Sequence, residues 1–305
     1  MKNWKKLNSD FITGFADTEL ALEFVSIKTI NSKQNGHYGL FFFEISFSRN
    51  DLALLNKIHF LFGVGQITIK KSNNSVIYSV SSIKDLINVI IPHFDKYPLI
   101  TQKRADFELF KKVVDLVNKK EHLTTEGLHK ILSIRASINW GLSQELTVAF
   151  PGIKAVPRPI IKVPENIDPN WLAGFTEGCF YVKIKKSKTH KIGLQVLLSF
   201  RITQHSRDTE LMKNIIKYLE CGIIHLYPRI PAVEIAVSKF KDISEKILPF
   251  FYNYPLQGTK ALNCADFATT VKLMENKEHL TKEGLDKIIK IKSKMNRGRD
   301  HEKTR

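Results

Sequence analysis

The chain has 305 residues, enough for two domains that each bury a core, and its 43% hydrophobic fraction is ordinary for a globular protein. Lysine plus arginine outnumber aspartate plus glutamate by 47 to 30, a net charge of +17, which points to a polyanionic partner with nucleic acid first in line. Three cysteines, Cys179, Cys221 and Cys264, form no CxxC pair; they indicate neither a disulfide framework nor a zinc site and read as small core residues. No stretch approaches the length of a membrane span. The start, MKNWKKLNSD, has neither an apolar signal region nor a transit-peptide composition. It implies synthesis where the protein works, or a leader that is not part of this sequence.

In chain order, the run from Leu7 to Glu19 (LNSDFITGFADTE) predicts a helix. Asn8 or Ser9 is its N-cap, Gly14 sits on its apolar face, and an acid ends it. Glu23 to Ile30 reads as strand, 31–36 (NSKQNG) as a polar turn, and His37 to Arg49 as a strongly alternating strand. Phe41, Phe43, Ile45 and Phe47 fall on one face, and Leu40, Phe42, Glu44, Ser46 and Ser48 on the other. Asp51 to Phe62 is helical, with Leu54, Leu55, Ile58 and Leu61 on one stripe. A hairpin, Gly65 to Lys70 and Val76 to Ser81, turns across Lys71-Ser72-Asn73-Asn74. Helices follow at Ser82 to Phe94, Lys103 to Leu116 and Thr125 to Ile138. Residues 142–170 hold Pro151, Pro157, Pro159, Pro164 and Pro169, too many for helix or sheet, and read as a linker.

The order then repeats. Ile167 to Gly178 (IDPNWLAGFTEG) is a second helix start, with Asp168 or Asn170 as N-cap, Pro169 in the first turn and Gly174 on the apolar face. From Phe43 to Gly141 the chain matches its own second half at a constant offset of 157. FEISFSRND answers FRITQHSRD, Tyr97-Pro98-Leu99 answers Tyr254-Pro255-Leu256, KEHLT recurs from Lys120 and Lys277, and Asn139 and Gly141 recur as Asn296 and Gly298. The helix glycines stand at an offset of 160, so the second copy is three residues shorter between its first helix and its next strands. Two units this long are a duplicated domain, not a solenoid. The predicted divisions are a first repeat at 1–141, a linker at 142–170, a second repeat at 171–298, and a basic tail at 299–305 that frays after Gly298.

FITGFAD at Phe11 to Asp17, WLAGFT at Trp171 to Thr176, YPLITQK at Tyr97 to Lys103 and the paired NKKEHLT and NKEHLT runs resemble the LAGLIDADG homing endonucleases. The form is the single-chain, two-repeat one found in fungal mitochondrial introns, and the likeness covers about residues 7 to 298. It implies an α+β fold of two pseudo-symmetric αββαββα repeats whose signature helices pack at Gly14 and Gly174, with two antiparallel sheets forming a saddle on the DNA major groove. A duplicated domain suits a long pseudo-palindromic duplex, and a two-stranded ribbon fits the major groove. The outward set in the second half is Lys183, Lys185, Gln195, Ser199, Arg201, Thr203 and His205, side chains able to bind base edges and phosphates. The first half offers Ser46, Ser48, Lys70 and Lys71. Its remaining outward positions, Tyr38, Leu40, Phe42 and Glu44, suit DNA poorly.

The resemblance also implies one acid at the foot of each signature helix, Glu19 and Glu177, together holding Mg²⁺, with Lys103 and Lys260 as basic residues beside the reacting phosphate. Similar proteins carry two more residues between Thr176 and Glu177. Counted from the helix, Glu177 is two positions early, ~3 Å of rise and ~200° of rotation. The expected function is therefore metal-dependent, site-specific cleavage of double-stranded DNA by a monomer made in the mitochondrion. The alternative is a cleavage-deficient relative acting as an intron-RNA maturase, or a structural part of an organellar ribonucleoprotein that binds structured RNA. In either case binding to nucleic acid is expected to fall steeply with salt, because each phosphate contact releases counterions. A binding constant indifferent to salt between 50 and 200 mM, roughly the range over which such contacts show, would remove the reading drawn from charge.

Overall fold

The structure is a computed structural model that describes residues 7–24, 41–70, 72, 74–139, 141–176, 179–296 and 299, with backbone alone at 23, 24, 41, 42 and 179. The turn predicted at 31–36, the strand ends at 25–30 and 37–40, and the tail at 300–305 lie outside the described residues. The chain forms two compact units, residues 1–163 and 164–305.

In the first unit, α1 (Ser9–Glu19) runs straight into β1 (Leu20–Phe24). There follow β2 (Phe41–Ser48), α2 (Leu52–Phe62), β3 (Gln66–Lys70), β4 (Ser75–Val80), α3 (Ile83–Asp85), α4 (Ile91–Lys96), α5 (Lys103–Asn118), α6 (Thr125–Arg135) and α7 (Gln144–Ala149). The second unit repeats the order with α8 (Pro169–Phe175), β5 (Cys179–Lys186), β6 (Leu194–His205), α9 (Thr209–Leu219), β7 (Ile223–Leu226), β8 (Ala232–Val237), α10 (Phe240–Asp242), α11 (Leu248–Asn253), α12 (Gly258–Glu275) and α13 (Lys282–Ser293). Each unit has one antiparallel four-stranded sheet, ordered β1-β2-β4-β3 and β5-β6-β8-β7. This is the α+β fold that the resemblance implied.

Strand alternation sends one face of each sheet into its core. Phe43 and Ile45 are fully buried in the first unit, and Phe43 meets Phe94 at 5.5 Å between ring centroids. In the second, Phe180 meets Phe200, Phe251 and Phe267 at 5.2, 5.6 and 5.2 Å. Burying a side chain of this size stabilises by roughly 1.5–3 kcal/mol. Cys221 and Cys264 are buried, and burial pushes their thiols up to about 11 and about 12, so both are core residues with little thiolate character.

Three features depart from the sequence expectation. The helix predicted at 82–94 is not uniform, since a π-helical turn, Leu86–Ile90, lies between α3 and α4, and Ile243–Ile247 does the same in the second unit. Pro92 and Pro249 sit in the first turn after each. A proline ring crowds the carbonyl four residues back and offers no N–H, and widening the turn before it relieves both. The proline-rich stretch is also more than a tether. Ser143 caps α7, accepting from the Leu146 N–H at 3.3 Å, and the prolines begin after that helix ends. Farther on, the Val156 N–H donates to the Ser133 carbonyl at 3.2 Å, and Arg158 donates to Asp106 and to the Ser137 carbonyl, both at 2.5 Å. Finally, Arg299 does not fray. Its side chain bonds Asn263 and Asp266.

The repeated KEHLT runs have a steric explanation. Lys120 and Lys277 adopt left-handed backbone (φ 60° and 61°) and lead into 3-10 turns. Thr124 and Thr281 then cap α6 and α13, accepting from the Gly127 and Gly284 N–H groups at 3.0 and 3.1 Å. A Cβ on Gly127 would stand 1.9 Å from the Glu121 carbonyl oxygen, and one on Gly284 2.0 Å from that of Glu278. Backbone cannot yield as a flexible side chain does. Gly127→Ala and Gly284→Ala are therefore each expected to cost about 1–3 kcal/mol, read as a lowered urea midpoint, and unchanged midpoints would refute this packing.

Candidate nucleic-acid interface and acidic site

Of the two caps open for α1, Asn8 is the one used, its Oδ1 accepting from the Asp10 and Phe11 N–H groups at 2.8 and 3.2 Å. The helix buries Phe11 through Asp17, Gly14 included, and ends at the half-buried Glu19. The two acids of its last turn do different work. Asp17 is 2% exposed and accepts from the Ile100 N–H (3.0 Å), the Thr101 N–H (3.3 Å) and the Thr101 hydroxyl (2.6 Å). It fixes the segment that starts α5. Lys103, the first residue of α5, then returns its ammonium to the end of α1, donating to the Thr18 and Ala16 carbonyls at 3.0 and 3.3 Å. A cation there satisfies orphan carbonyls and suits the negative end of the helix dipole. Lys103 is thus brought to the foot of α1, where Glu19 stands.

In the second unit Asp168 is the cap, accepting from Asn170 and Trp171 at 2.8 and 3.1 Å, and α8 buries Gly174. α1 continues five residues past its glycine, to Glu19, whereas α8 ends one residue past, at Phe175. The strands locate the loss. Glu44 pairs with Ala21 and Arg201 with Cys179. Asn139 Nδ2 donates to the Leu22 carbonyl and Asn296 Nδ2 to that of Phe180, at 2.9 and 3.0 Å. Both relations put the first strands at an offset of 158, against 160 for the helices, so two residues are missing between Gly174 and Cys179. Glu177 itself lies outside the described residues. Counted from the helix it matches Asp17, and the position of Thr101, whose hydroxyl Asp17 engages, is Gly258 here. Lys260 is half-buried in the first turn of α12.

On the second sheet, Lys183, Lys185, Arg201, Thr203 and His205 are exposed, with Gln195 and Ser199 half-buried. Register puts Lys185 opposite Gln195 and Tyr181 opposite Ser199, so the predicted outward set shares one face. Sequence reasoning missed Glu234 on β8, which is 5% exposed and lies opposite Thr203 and His225. It accepts from Arg201 Nη1 (2.9 Å), Thr203 Oγ1 (3.3 Å) and the Tyr227 hydroxyl (3.1 Å). The bond to this carboxylate holds the Tyr227 phenol above its ordinary range. Its position at period two along β8, out of phase with Val233 and Ile235, was the available signal. On the first sheet Ser46 and Ser48 are half-buried and Lys70 is exposed at the end of β3, opposite Ser75. Lys71 is outside the described residues.

Among the described residues no group of three or more His, Cys, Asp or Glu side chains is placed to hold a metal, and no helix is long and apolar enough to cross a membrane. A magnesium site does not need so many, because that ion keeps several waters and takes one or two carboxylates together with substrate phosphates. Glu19 fits such a site as a donor.

The model of the LAGLIDADG endonuclease family matches residues 12–114 and 172–271. Probable intron-encoded endonuclease 2 of Neurospora crassa is 39% identical over 96% of this chain, and endonuclease 3 of the same fungus is 42% identical over 81%. The chain spans 66% and 46% of the lengths of those two relatives. Among solved structures, I-SmaMI bound to cleaved DNA superposes with a TM-score of 0.92 at 42% identity, covering 96% of this chain and 98% of that one. I-SmaMI has also been solved on uncleaved DNA with calcium ions.

The separation of roles between the α1 acids is testable. Asp17→Ala removes a buried acceptor of three hydrogen bonds and is expected to cost ~2–4 kcal/mol of stability. Glu19→Gln is expected to stay within about 1 kcal/mol of the unmodified chain. Equal losses in urea unfolding would make Glu19 a structural residue like its neighbour.

Proposed function

Because the chain belongs to the LAGLIDADG endonuclease family, we propose that it binds a long double-stranded DNA site along the outward faces of its sheets and hydrolyses phosphodiester bonds at the foot of α1. The observation that carries the reading is Glu19 ending α1 with Lys103 docked on the neighbouring carbonyls. It occurs in a chain that matches, over nearly its full length, a protein solved on cleaved DNA. Ser46, Ser48, Lys70 and Lys71 in the first unit, and Lys183, Lys185, Gln195, Ser199, Arg201, Thr203 and His205 in the second, are the proposed DNA contacts. Glu19, with Glu177 from the second unit, is the proposed holder of Mg²⁺, which when bound would neutralise phosphate charge and lower the pKa of a water. Lys103 and Lys260 supply fixed positive charge where negative charge develops on the phosphorus oxygens. Fungal intron-encoded relatives support a mitochondrial intron as the source.

A second reading is favoured by one observation, the early end of α8. Two helical residues fewer displace the following acid by about half a turn, more than metal ligation tolerates. Cleavage is then reduced to one strand or lost, leaving a nucleic-acid-binding protein of the maturase kind.

Supercoiled plasmid carrying a site selected by the protein, incubated with Mg²⁺, separates the readings. Nicked circles that vanish in Glu19→Gln are expected, and inserting Asp-Gly between Thr176 and Glu177 is expected to raise the linear product. Efficient linearisation by the unmodified chain would defeat the claim of a weakened second site. Tight binding without any nick would leave the maturase-like reading.

A further inference from the structure

A carboxylate buried in a surface that meets nucleic acid opposes phosphate binding, so Glu234 calls for a specific reason. Its partners supply one. Arg201 donates Nη1 to Glu234 at 2.9 Å and Nε to Ser199 Oγ at 3.2 Å, and its guanidinium lies 5.9 Å from the centre of the Tyr181 ring. Thr203 and Tyr227 hold the other Glu234 oxygen at 3.3 and 3.1 Å. The carboxylate is thereby fixed, and it fixes the arginine in turn. An arginine whose rotamer is set before binding loses little entropy on contact. A guanidinium has five N–H donors, and these bonds use Nε and one hydrogen of Nη1. Both hydrogens of Nη2 and the second on Nη1 are left for a ligand. The pair has no net charge, so its value to DNA lies in directional hydrogen bonds more than in attraction to phosphate.

On the DNA-binding reading above, we infer that Arg201 reads the O6 and N7 edge of one guanine in the half-site held by the second unit, and that Glu234 is the residue that positions it. Guanine is the base that offers two major-groove acceptors to such a fork. The first unit holds Glu44 and Ile77 at the register-equivalent positions. No guanidinium stands there, so the two half-sites are read differently at this base pair.

The test uses the full chain and a duplex it enriches from a randomised pool, followed by every single base-pair replacement of that duplex. For the unmodified chain one G·C pair in one half-site should be worth roughly 5- to 150-fold in affinity. In Arg201→Gln and Glu234→Gln that preference should shrink to a few-fold, with other positions and the salt slope unchanged. Tyr227→Phe removes one hydroxyl at little risk to folding and should weaken the same position in part. An Arg201→Gln variant that binds every duplex more weakly, with a salt slope lower by ~0.9, would make Arg201 a phosphate anchor and overturn the inference. So would an unchanged base profile in all three variants. If the unmodified chain enriches no duplex, the DNA-binding reading fails first, and the inference with it.

Discussion

The closure between α1 and α5 decides what the rest of the first unit can do. Asp17 holds the Ile100–Thr101 segment, that segment aims Lys103, and Lys103 returns to the carbonyls at the end of α1. A helix end is normally its loosest part, because four carbonyls lack partners. Here it is tied from both directions, and the residue it presents is Glu19. β1 leaves from the next residue, so the same tie sets where the sheet begins. For the role proposed for Glu19 a carboxylate must keep its place to within a fraction of an ångström, and the bonds of Asp17 and Lys103 hold the helix end that carries it.

The second unit shows what happens when the closure is altered. Its helix stops a turn early, and the hydroxyl that Asp17 engages has become Gly258. Glu177 still stands three residues past its helix glycine, as Asp17 does, but the position of Thr101 carries no hydroxyl in the second unit. Strand faces diverged as well. Equivalent register positions carry Glu44 and Ile77 in one sheet and Arg201 and Glu234 in the other. The cores keep matching aromatics, Phe43 and Phe200, where packing tolerates little change, whereas the outward faces differ at these positions.

Much of this was legible in the sequence. The 157-residue repeat, the alternation around Phe43 and Phe200, and the helix glycines report burial, which sequence periodicity encodes directly. A shortening of the second copy was visible too, as an offset mismatch of three residues, and strand pairing places two of them between Gly174 and Cys179. What escaped depends on contacts remote in sequence. Nothing local to Glu234 marks it as the partner of Arg201, 33 positions away and joined to it only by strand pairing. The π-turns escaped for another reason. Pro92 and Pro249 stand at the repeat offset of 157, yet a proline inside a helical pattern is compatible with either a break or a widened turn.

The proline-rich stretch shows how a composition rule fails when a segment supplies the partner of a buried polar group. Asp106 in α5 is 2% exposed and is reached by Arg158 from beyond α7. Its counterpart in the second unit, Asn263, is reached by Arg299 from just past α13. The two arginines are not repeat-related, since they stand 141 residues apart and the repeat offset is 157. A buried polar position in the same helix has therefore been satisfied twice by different segments, as the cost of leaving it unsatisfied requires. That places residues 144–163 in the structure of the first unit, although their prolines read as linker. A fragment ending at residue 141 would lose the guanidinium that Asp106 binds and the hydrogen bond from Val156 to the Ser133 carbonyl, whereas one ending at 163 keeps both.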